Sequence, residues 1–194
     1  MAQYYGPVSV PVSSWSAFKN ATLGNWYDVD GVHGAQCVDY FKLLNYNLGY
    51  PFPYAETGTF GYAYEMWTDP IARAFNASDK YDYVTSYSNL RVGDMIILDA
   101  NPNSIYGHNA IVDSSPIVNP PEMAAGTYYY LVGQNQELPS ATVGHEVTRD
   151  LFRVDQYFLG AFRLKAWNQG PSPITRRGHF PWYMITRKKL TKRK

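Results

Sequence analysis

The sequence predicts an α+β domain in which N-terminal helices pack on an antiparallel β-sheet built later in the chain. Three observations carry this expectation. Apolar residues recur at helical spacing in the first half, at Val38, Phe41, Leu44 and Leu48 and again through Tyr64 to Ala74. The second half holds β-rich runs separated by turn formers. Helices first and strands afterwards, rather than the two alternating, is the order of an α+β fold.

Residues 1–24 read as an extended lead with prolines at positions 7 and 11. An acidic, glycine-broken loop follows. From Cys37 the stretch "CVDYFKLLNYNLG" reads as a helix, with Gly49 as its stop. Pro51 and Pro53 break the pattern before a second, shorter helix through Tyr64 to Ala74. Arg91–Ala100 and Tyr106–Ser115 read as strands on either side of the turn-forming "NPNS". Thr127–Gln136 reads as another strand and Tyr157–Trp167 as a closing one. Residues 25–167 therefore form the domain body, and 168–194 a linker ("NQGPSPITRRG") with a basic C-terminal arm.

A chain of 194 residues suffices for one domain with a real core. Its net charge of +1 conceals an asymmetry, because Arg176 onward carries eight Lys or Arg and no acid. The rest has sixteen acidic residues against nine basic ones, so the body is acidic. The basic arm could contact phosphate, but no nucleic-acid reading motif accompanies it. One cysteine excludes an internal disulfide framework. The start, "MAQYYGPVSVPVSSW", shows neither a basic n-region nor an apolar h-region, and no apolar run approaches a membrane span. The 18 tyrosines suit a polar groove with ring-lined walls, or simply half-buried strands.

The stretch "DVDGVHGAQCVDYF" crowds two aspartates, a third at position 39 and the single cysteine together. With Asp28 as position 1, Asp30 is position 3, Val32 and Gly34 are 5 and 7, and Asp39 is 12. That is nearly the oxygen-ligand spacing of a calcium loop, with carboxylates at the ends and main-chain carbonyls between. The glycine falls at position 4 rather than 6, so it is not a regular EF-hand. An Asp/Gly turn with Asp39 as a favourable helix-start residue is the plainer alternative. A zinc site on His33 and Cys37 lacks further ligands at the usual spacing.

Cys37 lies where loop becomes helix, and unsatisfied amides and the positive end of the helix dipole favour thiolate there. A thiol nucleophile needs an imidazole, usually distant in sequence. Among four histidines, His108 heads the strand "GHNAIVD" behind Gly107, where a groove could receive it. His33 is too near in sequence, His145 is in a polar loop and His179 is in the arm. Gln134, Asn135, Gln136 and Glu137, at the end of a predicted strand, supply candidates for orienting the imidazole. Gln36, directly before the thiol, is a candidate for holding an oxyanion.

Taken together, "DVDGVHGAQCVDY", "RVGDMIILD", "YGHNAIVD" and "LVGQNQ" resemble, in order and interval, the CHAP family of cysteine, histidine-dependent amidohydrolases and peptidases. The resemblance spans roughly residues 20–167 and is closest to phage lysins. It implies a papain-like fold with Cys37 as nucleophile, His108 as base and Asn135 beside the histidine. It also implies structural calcium held by Asp28, Asp30 and Asp39 with the carbonyls of Val32 and Gly34. One departure stands out. The similar lysins carry a glutamate two residues before the asparagine, and here that position is Gly133. Orientation of the imidazole then passes to Asn135 alone, or to Glu137 if the strand end curls back.

The implied function is a phage peptidoglycan hydrolase, amidase or endopeptidase, acting at a virion tail or as an endolysin released from the host cytoplasm to the wall. The basic arm would hold anionic wall polymers or dock on other virion tail proteins. The rival expectation is a structural virion protein with a vestigial CHAP fold, its arm binding a subunit or nucleic acid.

Overall fold

The computed structural model describes residues 1–52, 62–77, 79–101, 104–136 and 144–168. The C-terminal arm and Glu137 therefore lie outside the described residues. The lead is extended only at its start. Strand β1 (Gln3–Tyr5) pairs in parallel with β2 (Trp26–Asp28), and between them runs helix α1 (Trp15–Thr22). The expectation of an extended segment through residue 24 is thus corrected. Ser14 caps α1 by accepting from the Ala17 N–H, and Trp15, Phe18 and Thr22 form one buried face. Eight residues of helix give too short a period to stand out beside two prolines.

Helix α2 (Cys37–Leu48) ends as the sequence indicates, at Gly49 with φ 71°. It buries Tyr40, Phe41, Leu43, Leu44 and Leu48 against the sheet. The single second helix expected through Ala74 is instead two, α3 (Glu65–Thr68) and α4 (Pro70–Ala77). Proline at 70 drives Asp69 into extended backbone, ψ 120°. The Asp69 carboxylate then accepts from the Ala72 N–H and starts a new helix.

Seven strands form one antiparallel sheet in the order β3 (Tyr81–Val84), β9 (Phe158–Leu164), β4 (Met95–Leu98), β5 (His108–Val112), β7 (Thr127–Gln134). Strands β6 (Ile117–Val118) and β8 (Val147–Arg153) also pair with β7. The four expected strands are β4, β5, β7 and β9. The other three are short or, like β8 with Arg149, Asp150 and Arg153, too charged to read as strands. Both sheet faces are buried. Ile97, Ile111, Val132 and Phe162 meet α2, while Ile96, Ala110, Val112, Leu131 and Ala161 form a second core on the other side. This is why β4 is a continuous apolar run, and why β5 is buried along its whole length, rather than alternating.

Asp113, just past β5, ties α1 to the sheet. Its side chain is 4% exposed and accepts from Lys19 Nζ (2.7 Å), Arg149 Nε (2.5 Å) and Trp15 Nε1 (2.7 Å). Chain closure is made by α5 (Lys165–Asn168), where Trp167 Nε1 donates to the Val12 carbonyl. No helix among the described residues is long and apolar enough to cross a membrane.

Candidate active site

The junction of acidic loop and α2 meets the start of β5. Cys37 opens the helix, with its sulfur close enough to the main chain of Asn109, the residue directly after His108, to feel its dipole. Helix α2 packs on β5 and β7, which brings positions 37, 108 and 135 to one end of the sheet. Burial raises the Cys37 thiol to about 11, with the Asp39 carboxylate adding to the effect. The amides of Asn109, Val38 and Cys37 itself pull the other way and do not overcome it. The thiol is therefore neutral at neutral pH.

His108 is 8% exposed, and its ring stacks on Phe152 of β8 with centroids 5.6 Å apart and planes 10° from parallel. Burial lowers it to about 4, against opposing pulls from the Gln136 amide and the Asp150 charge. The imidazole is therefore neutral at neutral pH. Gly107 sets the entry to the strand. Its φ is 67°, and a Cβ there would stand 2.6 Å from the Leu98 carbonyl oxygen. Beside it the rings of Tyr62, Tyr64 and Tyr106 form a cluster, Tyr62 and Tyr106 lying edge to face at 5.1 Å. This sets a tyrosine cluster against the turn that leads into β5.

The end of β7 clamps the loop that carries the thiol. Gln134 exchanges hydrogen bonds with the Tyr27 main chain (2.8 and 2.9 Å) and donates to the Gln36 carbonyl at 3.1 Å. Asn135, at φ 53°, donates from Nδ2 to Gln36 Oε1 at 2.8 Å. Gln36 in turn donates from Nε2 to the His33 carbonyl, and its main-chain N–H caps onto Asp39 Oδ2 at 3.0 Å. The structure thus brings Asn135 to Gln36, and Gln136 to His108. Three contributors are absent from the expected candidates: Asn109 through its main chain, Phe152 and Asp150. Gln136 was among the candidates at the strand end, and the left-handed turn at Asn135, a residue type that tolerates positive φ, decides which neighbour faces inward.

Asp28, Asp30 and Asp39 each place a carboxylate oxygen within 4.8 Å of the others. The loop between them wraps through positive φ at Gly31, His33 and Gly34, with Val32 inside the turn. Main-chain amides orient the carboxylates: Gly31 N–H donates to Asp28, Val32 N–H to Asp30 and Val29 N–H to Asp39. Lys42 forms an ion pair with Asp30. Burial raises Asp39 to about 7; Lys42 opposes this and the Asp30 charge adds to it. Three hard oxygen donors with carbonyl-bearing loop residues between them fit a calcium-type cation. Neither His33 nor Cys37 belongs to any group of three or more such donors among the described residues.

Residues 26–135 match the CHAP domain family. The D-alanyl-L-alanine endopeptidase of Streptococcus phage B30 is 30% identical over 126 residues, covering 64% of this chain and 25% of that protein. The chain thus spans about a quarter of the length of this relative. Among solved structures, the wild-type endolysin LysIME-EF1 superposes with a TM-score of 0.56 at 19% identity, over 81% of this chain and 65% of that one. That likeness speaks to the α+β fold.

Proposed function

The chain belongs to the CHAP domain family, and from that premise we propose that it is a phage peptidoglycan hydrolase, an amidase or endopeptidase working through Cys37 and His108. The observation that carries this reading is the contact of the Cys37 sulfur with the residue that follows His108, at a helix start. Both groups rest uncharged. As the sulfur attacks an amide carbonyl carbon in the wall's peptide portion, His108 takes the thiol proton. The C–N bond then breaks as the imidazolium returns that proton to the leaving amine. Water, deprotonated by His108, attacks the resulting thioester, releasing the carboxylic acid and restoring the thiol. The Cys37 N–H would hold the oxyanion together with the Gln36 carboxamide, once its Nε2 turns from the His33 carbonyl.

Asp28, Asp30 and Asp39, with the carbonyls of Val32 and Gly34, would hold calcium. The ion would compensate the carboxylate charges and fix the loop that ends at Cys37. Asp39 would couple the two, since its other contacts are the Val29 and Gln36 amides. The basic arm is proposed to hold anionic wall polymers or neighbouring virion tail proteins. Deployment is proposed at a phage tail, or from the host cytoplasm with release to the wall.

Loss of turbidity of Gram-positive walls tests the reading. Wild type is expected to clear them and Cys37→Ala to be inactive, by a factor of about 10⁴ or more. Equal clearing by both would overturn the thiol mechanism. Mass spectrometry of the digest then names the bond: free stem peptide marks an amidase, and a new N-terminal glycine or alanine marks an endopeptidase.

A further inference from the structure

Among the described residues, three buried side-chain atoms lack a hydrogen-bond partner: His108 Nε2, Asn109 Oδ1 and Gln136 Oε1. Two of them are complementary and belong to neighbouring side chains. The Gln136 carboxamide acts on the His108 ring, yet neither atom makes a hydrogen bond in the structure; one is a ring nitrogen that can donate and the other an oxygen that can accept. Both residues are over nine-tenths buried, so water does not readily substitute.

The amide cannot turn over. Gln136 Nε2 faces oxygens throughout: the Thr148 carbonyl at 2.9 Å, Asp150 Oδ2 at 3.1 Å, Thr148 Oγ1 at 3.2 Å and the Leu131 carbonyl at 3.2 Å. Thr148 Oγ1 itself donates to Asp150 Oδ2, which leaves it an acceptor toward the amide. Rotating the carboxamide would set Oε1 against two carbonyls and a carboxylate. Oε1 is therefore fixed toward the imidazole. Gly133, three residues before Gln136, adds no side chain on that strand, and a Cβ there would stand 3.0 Å from Ala110 Cβ. The turn at Asn135 folds Gln136 back along β7 as far as Leu131.

We infer that Gln136 is the positioning residue of the catalytic histidine: its Oε1 accepts the Nε2 proton of His108, Asp150 and Thr148 lock the amide in that sense, and Nδ1 is left for the thiol. This rests on the hydrolase reading and deepens it. A neutral amide thus stands where a carboxylate would hold the ring more strongly charged. Among the described groups acting on the ring, Asp150 is the charged one, and it acts from behind the amide; Phe152 covers a ring face without charge.

The test uses Gln136→Met and Gln136→Glu in the full chain, with wall hydrolysis across pH and ¹⁵N spectra of the histidine rings. Gln136→Met, which keeps size but removes the acceptor, is expected to lose about 10- to 100-fold in kcat with KM little changed. Its His108 ring should lose the bias toward the Nε2–H tautomer. Gln136→Glu keeps the acceptor, and is expected to retain most of kcat with the acid limb moved up by about one pH unit or more. A folded Gln136→Met with wild-type kcat and tautomer would overturn the inference. If Gln136→Met does not fold, an unmoved acid limb in Gln136→Glu overturns it instead. Cys37→Ala separates the two readings. If that variant still clears walls, the hydrolase mechanism fails, while the wild-type ring tautomer still decides the Gln136 contact by itself.

Discussion

At the scale of single residues, the site depends on where His108 stands and on its charge. Gly107 is the position at which the backbone itself sets that placement. Alanine there must hold a φ of 67° and meet a carbonyl oxygen at 2.6 Å, so the strand start must shift. Gly107→Ala is expected to lower kcat/KM about a hundredfold, the usual effect of misplacing a reacting group by roughly 1 Å. The check is wall hydrolysis beside an unfolding curve, because a purely structural defect would lower the melting temperature without changing kcat per folded molecule. The charge state makes a second prediction. With His108 held at about 4, the base stays neutral well below the ordinary histidine value. The acid limb of kcat/KM is expected near that value, and a limb near 6.5 would contradict the burial. The sequence offered Cys37 and His108 as the proposed pair, through a helix start and a glycine-led strand. It offered Gln136 only as one of four polar candidates and did not show Phe152, since each reaches the ring through a turn or a strand pairing that residue type does not specify.

At the scale of elements, the acidic loop and α2 act as one unit. Asp39 is both a first-turn helix residue and a member of the carboxylate cluster, and its oxygens accept from Val29 and Gln36 across the junction. Chelation of calcium is expected to lower the melting temperature and wall hydrolysis together, with both restored by added calcium. Asp30→Asn should weaken the response. A chain indifferent to chelator would remove the calcium assignment. The second element-scale link is the Asp113 knot between α1 and β5–β8. Asp113→Ala leaves the Trp15 indole N–H unpaired and takes the carboxylate from the partly buried Lys19 and the exposed Arg149. The expected cost is about 2–3 kcal/mol by denaturant unfolding. Helix α2 was legible from its period and Gly49, whereas α1 and β8 were not: one is short, and the other takes its strand form from pairing with β7 rather than from its own charged sequence.

At the scale of the whole molecule, three buried acid–base groups set how stability follows pH. His108 is depressed in the folded chain, so its contribution is present above about 6.5 and is lost as pH falls toward about 4. Asp113 is also depressed, through Lys19, Arg149 and Trp15, which outweigh its burial, and its contribution disappears as pH falls through its lowered value. Asp39 is raised to about 7, so it favours the folded chain at low pH, and that contribution is lost as pH rises through about 7. The expectation is a melting temperature that falls steadily with acid when calcium neutralises the loop. In chelator the opposing Asp39 contribution flattens that fall. Identical pH profiles with and without calcium would contradict the coupling.

What the sequence alone determined is the set of chemical parts: the α+β order of elements, the helix running from Cys37 to Gly49, the strand headed by His108, and the three carboxylates at calcium-loop spacing. These are local patterns, because period, capping and loop spacing act over a few residues and are written in residue type. What only the tertiary structure decided is which side chains meet. Sheet pairing set β8 against β7 and so laid Phe152 and Asp150 behind His108, and the left-handed turn at Asn135 gave that residue to Gln36 and Gln136 to the imidazole. Long-range pairing and a single reversed dihedral are chosen by the packing of the whole chain, and no short stretch of it carries that choice.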